Sequence, residues 1–552
     1  MERSRVQLAS DGAKDLFLEY CSNSSVHGVR YFGCRERSVC EKFWWVVVFV
    51  LSVGSCAMLI HKTYQKWDQT PVIVSFNEKS TPVWQIPFPA VTICPQTKVK
   101  SGMLNFSQDF NDFTNMDPEE QENFNRTDNL LAMMQLCERT TFYYMVLLSE
   151  VDSLPNKISN LSYASLVRNM SLPMYEMMEY CVIRSEVKFC RDIFTHTMTE
   201  EGICTSFNLL SAEELLRTES IQSTDPYLSG THKASHWTLE KGYSSEASLN
   251  SYPYRTLGPG YSAGISLLLL SNNEDMDYLC RGPVQAFKAL LHSPADYPQV
   301  SQKFVHVPMD QEVNIAVKPQ MVTTTSGLRS YTSDRRQCFF NSERYLQFFQ
   351  VYTQDNCELE CLTNYTLQRC GCVKFSMLRS NETKVCETNR MKCLVEAENE
   401  LLEMDVVKHH DQREHFRAEC NCLPACTSMQ YDAEITQTDF DWLKWIQALK
   451  VPLENTTGLH VARLGIYFKE AQFMTSKRSE LYGLTDFLAN CGGLLGLCMG
   501  VSLLSLVELC YFCTVRPFSL WRKQKQMSMD AKNLKYDDVP GISLLSMTVK
   551  RD

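Results

Sequence analysis

The sequence predicts an α+β membrane protein with two transmembrane helices and one large, disulfide-rich extracellular domain. Two long uncharged apolar segments lie near the ends of the 552-residue chain, and sixteen of its 24 cysteines lie between them. A content of 44% hydrophobic and 21% charged residues excludes a disordered chain. A net charge of −10 leaves no basic face for nucleic acid, so we expect no nucleic-acid partner.

The first apolar segment covers residues 43–60 and contains no charged residue. At 1.5 Å per residue, a helix of this length spans about 27 Å, close to the thickness of the hydrocarbon core of a bilayer. A cleaved signal peptide is the alternative. However, 42 residues of mixed charge precede the segment, and Trp44 and Trp45 are typical of a membrane interface. We therefore predict a first transmembrane helix over 43–62.

The second apolar segment covers residues 487–507, is rich in glycine and is followed by Glu508. A buried helix of a soluble domain is the alternative. A glycine-rich run of this length, with one acid near its inner end, favours a second transmembrane helix over 482–513 that faces something other than lipid. Because a carboxylate against lipid is costly, Glu508 should face water or a partner chain.

Basic residues next to the two segments predict the orientation of the chain. Four precede the first segment and four follow the second: Arg30, Arg35, Arg37, Lys42, Arg516, Arg522, Lys523 and Lys525. Positive residues flank membrane helices on the cytoplasmic side. The tails 1–42 and 514–552 should therefore be cytoplasmic, and residues 63–481 should form the extracellular domain.

The cysteines and the glycosylation motifs of the middle region agree with an extracellular location. Sixteen cysteines in an oxidising compartment predict up to eight disulfides. Two C-x-C pairs, at Cys370 and Cys420, are weak evidence for zinc without matching histidines, and we expect no metal. Seven N-x-S/T motifs predict glycosylation at Asn105, Asn125, Asn160, Asn169, Asn364, Asn381 and Asn455.

Residue patterns within this region predict four features. Strands are expected near 71–95 and near 460–475, next to the two spans, and we expect them to share one sheet. Residues 394–419 are rich in Glu, Leu, Lys and Arg and predict a helix. Residues 218–262 are rich in Ser, Gly, Pro and Tyr and predict a long surface loop.

Four sequence blocks together resemble the degenerin/epithelial sodium channel family, the amiloride-sensitive sodium channels. They are Ser24-Ser25-Val26-His27-Gly28, Phe88-Pro89-Ala90-Val91-Thr92-Ile93-Cys94, the spacing Cys357-x3-Cys361 with Cys370-Gly-Cys372, and Gly492-Gly493-x2-Gly496-x3-Gly500-Val501-Ser502 ahead of Glu508. The His-Gly block and the short tails look most like an insect pickpocket-type subunit, which makes a sensory role an expectation.

This resemblance implies a homo- or heterotrimer with sister subunits in the plasma membrane. It implies an extracellular domain of palm, β-ball, knuckle, finger and thumb parts. It also implies seven disulfides: Cys94–Cys204, Cys181–Cys190, Cys338–Cys426, Cys357–Cys422, Cys361–Cys420, Cys370–Cys393 and Cys372–Cys386. Cys137 and Cys280 remain, and only elimination pairs them.

The resemblance and pore chemistry together assign candidate roles in the second span. A cation pore needs a narrow ring of oxygen dipoles, and glycine lets helices approach closely or unwind. Gly500, Val501 and Ser502 match the family's selectivity filter, although small residues could also serve helix packing. Gly496 matches the amiloride contact. Ala489 matches the degenerin position, where a larger side chain would force the helices apart.

Two carboxylates and one histidine block complete the candidate site. Glu508 could form a carboxylate ring at the inner mouth of the pore, or its side chain could reach the membrane interface. Asp486 could act in the same way at the outer mouth. His27 and Gly28 match the family's gating block, with a simple turn as the alternative.

The sequence therefore predicts a pore-forming subunit of a sodium-selective, amiloride-sensitive channel, with Na⁺ as the permeant ion and no cofactor. A non-conducting accessory or receptor subunit is the main alternative. An ATP-gated trimeric channel shares the two-span topology but not the Phe88–Cys94 and Gly500–Ser502 blocks. We find no catalytic motif and expect no enzymatic activity.

Overall fold

The computed structural model describes residues 14–34, 37–69, 72–138, 163–222, 234, 236–410, 420–452, 456–481 and 483–534. The chain divides into two compact units. One consists of Met1–Ile73 with Glu480–Asp552, and the other of Val74–Ser479. We refer to them as the terminal unit and the central unit.

The terminal unit contains the apolar helices. Two helical stretches are long and apolar enough to cross a membrane, Val39–Gln69 and Leu503–Met527, and a shorter apolar helix covers Leu484–Met499. The first, which we call the long N-terminal helix, begins before and ends after the predicted 43–62. Residues 14–23 and Arg30–Gly33 are also helical.

The second predicted span is divided in the structure. The pre-break helix (Leu484–Met499) ends before Gly500, and the post-break helix (Leu503–Cys510) begins after Ser502. A π-helical turn, Tyr511–Val515, and a last helix, Arg516–Leu534, follow. The helix predicted over 482–513 thus consists of two helices with an irregular tripeptide between them, at the residues where the sequence allowed local unwinding. We call this tripeptide the break.

The central unit is built on two large β-sheets. Its strands, with those at its edges, are β1 Val72–Phe76, β2 Thr81–Pro82, β3 Ala90–Pro95, β4 Tyr180–Ile183, β5 Glu186–Phe189, β6 Phe194–Thr199, β7 Gly202–Phe207, β8 Trp237–Thr238, β9 Gly242–Tyr243, β10 Ile265–Asn272, β11 Ala286–His292, β12 Val305–Pro308, β13 Gln311–Thr324, β14 Ser428–Asp439, β15 Leu459–Phe468, β16 Gln472–Phe473 and β17 Ser476–Glu480.

The larger sheet has eight strands in the order β1-β17-β13-β15-β10-β4-β5, with β14 paired to β13, and the smaller has the order β12-β11-β3-β7-β6. In the larger sheet β13 runs parallel to β15, with Ile315 opposite Ile466. Val91, Phe207, Ile315 and Leu464 belong to one hydrophobic core that both sheets share.

The sheet prediction is partly wrong. Strands β1 and β15 lie in the same sheet as expected, but residues 88–93 contribute to β3, which belongs to the other sheet. All six residues of β3 are buried, and β11 and β7 pair with it on its two sides. A strand of this kind is central and cannot be at the edge of a sheet next to a span.

The helices of the central unit are mostly short: Phe106–Asn115, Pro118–Asn123, Thr127–Met134, Tyr163–Met170, Met174–Met177, Ala212–Leu215, Tyr278–Arg281, Ser333–Arg336, Gln354–Cys370, Met391–His410 and Trp442–Ala448. The predicted helix 394–419 corresponds to Met391–His410, and 411–419 lies outside the described residues. The predicted loop 218–262 instead contains β8 and β9 and buries Trp237 and Leu239.

The structure contains eight disulfides in the central unit. They are Cys94–Cys204, Cys137–Cys280, Cys181–Cys190, Cys338–Cys426, Cys357–Cys422, Cys361–Cys420, Cys370–Cys393 and Cys372–Cys386. These are the seven pairs that the resemblance implied and the pair left by elimination. Both C-x-C pairs are thus oxidised and offer no thiolates to zinc.

Five of the predicted glycosylation sites are exposed to solvent: Asn105, Asn125, Asn169, Asn364 and Asn381. Asn160 and Asn455 lie outside the described residues. The Asn105 side chain also accepts a hydrogen bond from the Gln108 N–H at the start of a helix. A glycan on its Nδ2 atom would leave this oxygen free to cap the helix.

His292 is a buried titratable residue of the smaller sheet. Its Nδ1 atom lies 3.0 Å from the Ser293 carbonyl oxygen, and its Nε2 atom lies 2.9 Å from the Thr92 hydroxyl. Burial lowers the pKa of His292 to about 4, although the hydrogen bond to Ser293 opposes the shift. The imidazole is therefore neutral at pH 7.

Candidate functional site

Gly500 ends the pre-break helix because it adopts a left-handed conformation, with φ +67° and ψ 20°. Its N–H donates to the Gly496 carbonyl over 2.9 Å, and the Val501 N–H reaches back to the Leu495 carbonyl over 3.3 Å. The bond from Gly500 to Gly496 is the five-residue bond of an αL-type helix end. A left-handed residue of this kind is most easily glycine, since a Cβ atom is unfavourable there.

Ser502 begins the post-break helix with a capping box. Its hydroxyl accepts from the Ser505 N–H over 3.3 Å, and the Ser505 hydroxyl accepts from the Ser502 N–H over 3.0 Å. This reciprocal pair satisfies two backbone donors that would otherwise lack partners at the helix start. The break is therefore fixed at both ends by local hydrogen bonds.

The last carbonyl groups of the pre-break helix are occupied by donors from the same chain. The Ser52 hydroxyl donates to the Cys498 carbonyl over 2.7 Å, and the His27 N–H donates to the Met499 carbonyl over 2.9 Å. Among the described loop and cap hydrogen bonds, none ends on the carbonyl oxygens of Gly500 or Val501. These two oxygens are the ones in the break that could contact an ion.

His27 packs directly against the break. A Cβ atom built on Gly500 would lie 2.7 Å from atoms of the His27 ring, closer than such contacts occur. Gly28 follows with φ +88°, and its Cβ would meet Phe49 at 3.5 Å. The His-Gly block therefore places an imidazole beside Gly500.

Glu508 contacts the N-terminal tail. Its Oε2 atom accepts from the Ser25 hydroxyl over 2.9 Å and from the Ser25 N–H over 3.2 Å. The Ser25 and Ser505 hydroxyls lie 2.7 Å apart. The carboxylate, six residues beyond Ser502, is thus held by charge-assisted hydrogen bonds.

The N-terminal tail also contacts the long N-terminal helix through aromatic rings. Tyr31 stacks on Trp45 with ring centroids 4.1 Å apart, and the Arg37 guanidinium lies 4.4 Å from the Tyr31 centroid. Phe32 meets Phe49 edge to face at 5.5 Å. At the far end of the tail, Arg516 and Glu19 form an ion pair of 2.6 Å. These contacts hold the segment that carries Ser25 and His27.

The other candidate pore residues lie on the pre-break helix, which has no buried residue within the described chain. No described atom lies within 4 Å of a Cβ built on Gly492 or Gly493, and the nearest to Gly496 is the Val501 oxygen at 3.9 Å. Ala489 is exposed, and Asp486 accepts from the Gly483 N–H over 3.1 Å. Packing within one chain therefore does not require these glycines.

The structure brings together Gly500–Ser502, Glu508 and the His27-Gly28 block, while Asp486, Ala489 and Gly496 lie separately along the pre-break helix. Reasoning from the sequence missed Ser25, Ser52 and Ser505 as the residues that connect the tail, the long N-terminal helix and the break. Ser25 lay within the block Ser24–Gly28, so its proximity to His27 was the available signal.

Comparisons with known proteins agree with the geometry. A family model described as amiloride-sensitive sodium channel matches residues 20–512. Pickpocket protein 28 of Drosophila melanogaster is 27% identical, over 92% of this chain and 79% of that protein. Sodium channel protein Nach of the same species is 21% identical, over 90% and 86%. Epithelial sodium channel subunit alpha of Xenopus laevis is 22% identical, over 90% and 80%.

Proposed function

Because the chain belongs to the amiloride-sensitive sodium channel family, which consists of ion channels and not enzymes, we propose that it is a pore-forming subunit of a trimeric, sodium-selective channel. The channel lies in the plasma membrane with both tails cytoplasmic, is blocked by amiloride and serves a sensory role. Sister subunits or further copies of the chain complete the trimer.

The break is the observation that carries this proposal. An ion in a narrow pore must exchange part of its hydration shell for fixed oxygen dipoles. A continuous helix offers few such oxygens because its carbonyls bond to its own N–H groups. Here the left-handed Gly500 turns the carbonyls of Gly500 and Val501 out of the helical pattern. In a trimer they would supply six oxygens.

Glu508 supports conduction at the inner side of the break. Three copies of this carboxylate around an axis would raise the local cation concentration. The bonds from Ser25 keep the carboxylate in one position instead of leaving it to reach for the membrane interface. This geometry favours the carboxylate-ring role over the alternative weighed from the sequence.

The exposed face of the pre-break helix supports assembly and block. Outside its own helix, a Cβ built on Gly492 or Gly493 would meet no described atom within 4 Å, so the absence of side chains there serves contacts beyond the chain. Small residues let neighbouring helices approach closely in a membrane. Gly496, one turn before the break, would place an amiloride-type blocker directly above the filter, with Asp486 at the outer mouth.

The test is a whole-cell recording from cells that lack native family members, with the chain expressed alone and with a sister subunit. We expect a sodium current that amiloride blocks. Gly496→Ser should weaken the block at least tenfold, because the added hydroxymethyl group occupies the blocker's position. Gly54→Ser, at another glycine with no described neighbour within 4 Å, should leave it unchanged.

The same recording separates a pore-forming from an accessory subunit. An accessory subunit would alter current size without changing how amiloride binds. If Gly496→Ser chains co-assemble with the sister subunit, shown by cross-linking at the surface, and the block is unchanged, the pore-forming role is refuted.

A further inference from the structure

A second candidate site lies in the central unit, in a cavity of about 450 Å³. Its lining includes Glu214, Trp237 and Glu240, together with Phe339 and Tyr352. Cavities of 300–1,000 Å³ with mainly apolar walls and a few fixed polar groups are typical of small-molecule sites. The volume is therefore adequate for a ligand of the size of a substituted benzene ring.

Three buried aromatic residues give the cavity its apolar character. Trp237, Phe339 and Tyr352 are 5%, 7% and 3% exposed, and the rings of Phe339 and Tyr352 meet edge to face at 5.5 Å. The Tyr352 backbone is fixed by a hydrogen bond from its N–H to the Asn341 side chain over 2.6 Å. Rigid rings of this kind bind apolar groups and attract cations to their faces.

Two carboxylates at the cavity are each held by one main-chain donor and one side-chain donor. Glu214 accepts from the Ala234 N–H over 2.7 Å and from the Ser211 hydroxyl over 2.9 Å. Glu240 accepts from the Asn341 N–H over 2.7 Å and from Arg329 over 3.3 Å. Each carboxylate has about four lone-pair sites, so both retain acceptor capacity for a ligand.

The charge of the lining selects the sign of the ligand. Three glutamates, Glu213, Glu214 and Glu240, line the cavity, and the cations beside them are the exposed lining residue Lys241 and Arg329, which pairs with Glu240. The excess of carboxylates favours a positive ligand, and the aromatic wall favours one with an apolar body. An anion or a strongly polar sugar would match neither feature.

We propose that this cavity binds a small organic cation that consists of an ammonium group on an apolar, ring-sized body. The ammonium group donates to Glu214 and Glu240, and the body packs among Trp237, Phe339 and Tyr352. The site is separate from the break, and binding there does not depend on ion conduction.

The experiment measures binding of phenethylammonium to the purified full-length chain in detergent by calorimetry, with 2-phenylethanol as the neutral probe of the same shape. We expect saturable binding of the cation with a Kd of about 1 mM or tighter, and at least about tenfold weaker binding of the alcohol. Equal affinity for the two probes, or no saturable binding of the cation, would overturn the proposal.

Variants locate the binding. Glu214→Gln and Glu240→Gln should each weaken binding of the cation about tenfold and leave the alcohol unaffected. Glu246→Gln removes an exposed carboxylate outside the cavity and should change nothing. Val351→Phe narrows the cavity and keeps every charge, so it should weaken the binding of both probes. If a glutamine variant fails to fold, this variant still tests whether the probes bind in the cavity. Wild-type affinity in Val351→Phe would place the binding elsewhere and refute the site.

Discussion

The backbone N–H of His27 donates to the carbonyl oxygen of Met499 over 2.9 Å, and the imidazole ring occupies the space that a side chain at residue 500 would need. The N-terminal tail is thus joined to the last residue of the pre-break helix. Any movement of the tail that breaks this bond also changes the packing at the break.

Gly500→Ala should reduce sodium current by at least about tenfold at unchanged surface expression. A non-glycine residue in the left-handed region costs about 1–2 kcal/mol, and the new methyl group would lie 2.7 Å from the His27 ring. The measurement is current normalised to surface label, and Gly54→Ala is the matched control. His27→Ala in the same chain should recover part of the current by removing the clash, whereas no recovery would show that the ring contact is unimportant.

Glu508→Gln should lower inward single-channel conductance at low ionic strength and have little effect at high ionic strength. The substitution keeps the shape of the side chain but removes a charge that salt would screen. Conductance at two sodium concentrations tests this, with Glu41→Gln, an exposed glutamate of the long N-terminal helix, as the control. A conductance loss that is equal at both concentrations would contradict the electrostatic role.

Ala489→Val should give a constitutive sodium current that amiloride blocks. Ala489 lies eleven residues before Gly500, about three turns, and in the proposed trimer it would occur three times near the axis. Overpacking a tight contact costs about 1–3 kcal/mol per copy, and about 5.5 kcal/mol would change a 1:99 equilibrium into 99:1. Two-electrode recording without stimulus measures this, with Ala57→Val on the exposed face of the long N-terminal helix as the control. Mutant channels at the surface that respond normally yet carry no resting current would defeat the prediction.

The protein should become less stable as pH falls from 6.5 to 4, because the buried His292 resists protonation. Its folded pKa of about 4 lies below the ordinary value of 6.5, so the unfolded chain binds more protons in this window. This pKa difference corresponds to about 3 kcal/mol in the free energy of unfolding. That contribution is fully present above pH 6.5 and is lost by pH 4. Unfolding of the purified chain across this range should show a weaker pH dependence in His292→Gln, and no change in the exposed-histidine variant His236→Gln. An unchanged profile in His292→Gln would exclude this histidine as the cause.

The sequence allowed prediction of the features that depend on composition and local order. The first span follows from eighteen uncharged residues, and the family's cysteine order implied pairs such as Cys361–Cys420 that the structure contains. The division of the second span was harder to predict. Gly500 is one of several glycines in an apolar run, and nothing local distinguishes a left-handed glycine from one that serves helix packing.

Contacts between distant parts of the chain could not be predicted. Ser25 and Glu508 are 483 residues apart, and no periodicity or charge pattern connects them. The misplaced strand β3 has the same cause, because a fully buried apolar strand fits the centre of either sheet. Residues 218–262 resembled a loop in composition, although Trp237 and Leu239 within them join the core.

The permeability ratio of sodium to potassium in a Ser502→Ala channel tests most directly whether the break is the selectivity filter. Ser502 caps the post-break helix, and loss of such a cap lowers helix stability by about 0.5–2 kcal/mol. The carbonyl oxygens of the break should then be held less firmly. We predict a reversal potential shifted toward that of potassium in bi-ionic solutions, with no shift in Ser55→Ala, an exposed serine of the long N-terminal helix. An unchanged reversal potential in Ser502→Ala channels that still conduct would contradict the assignment of the break as the filter.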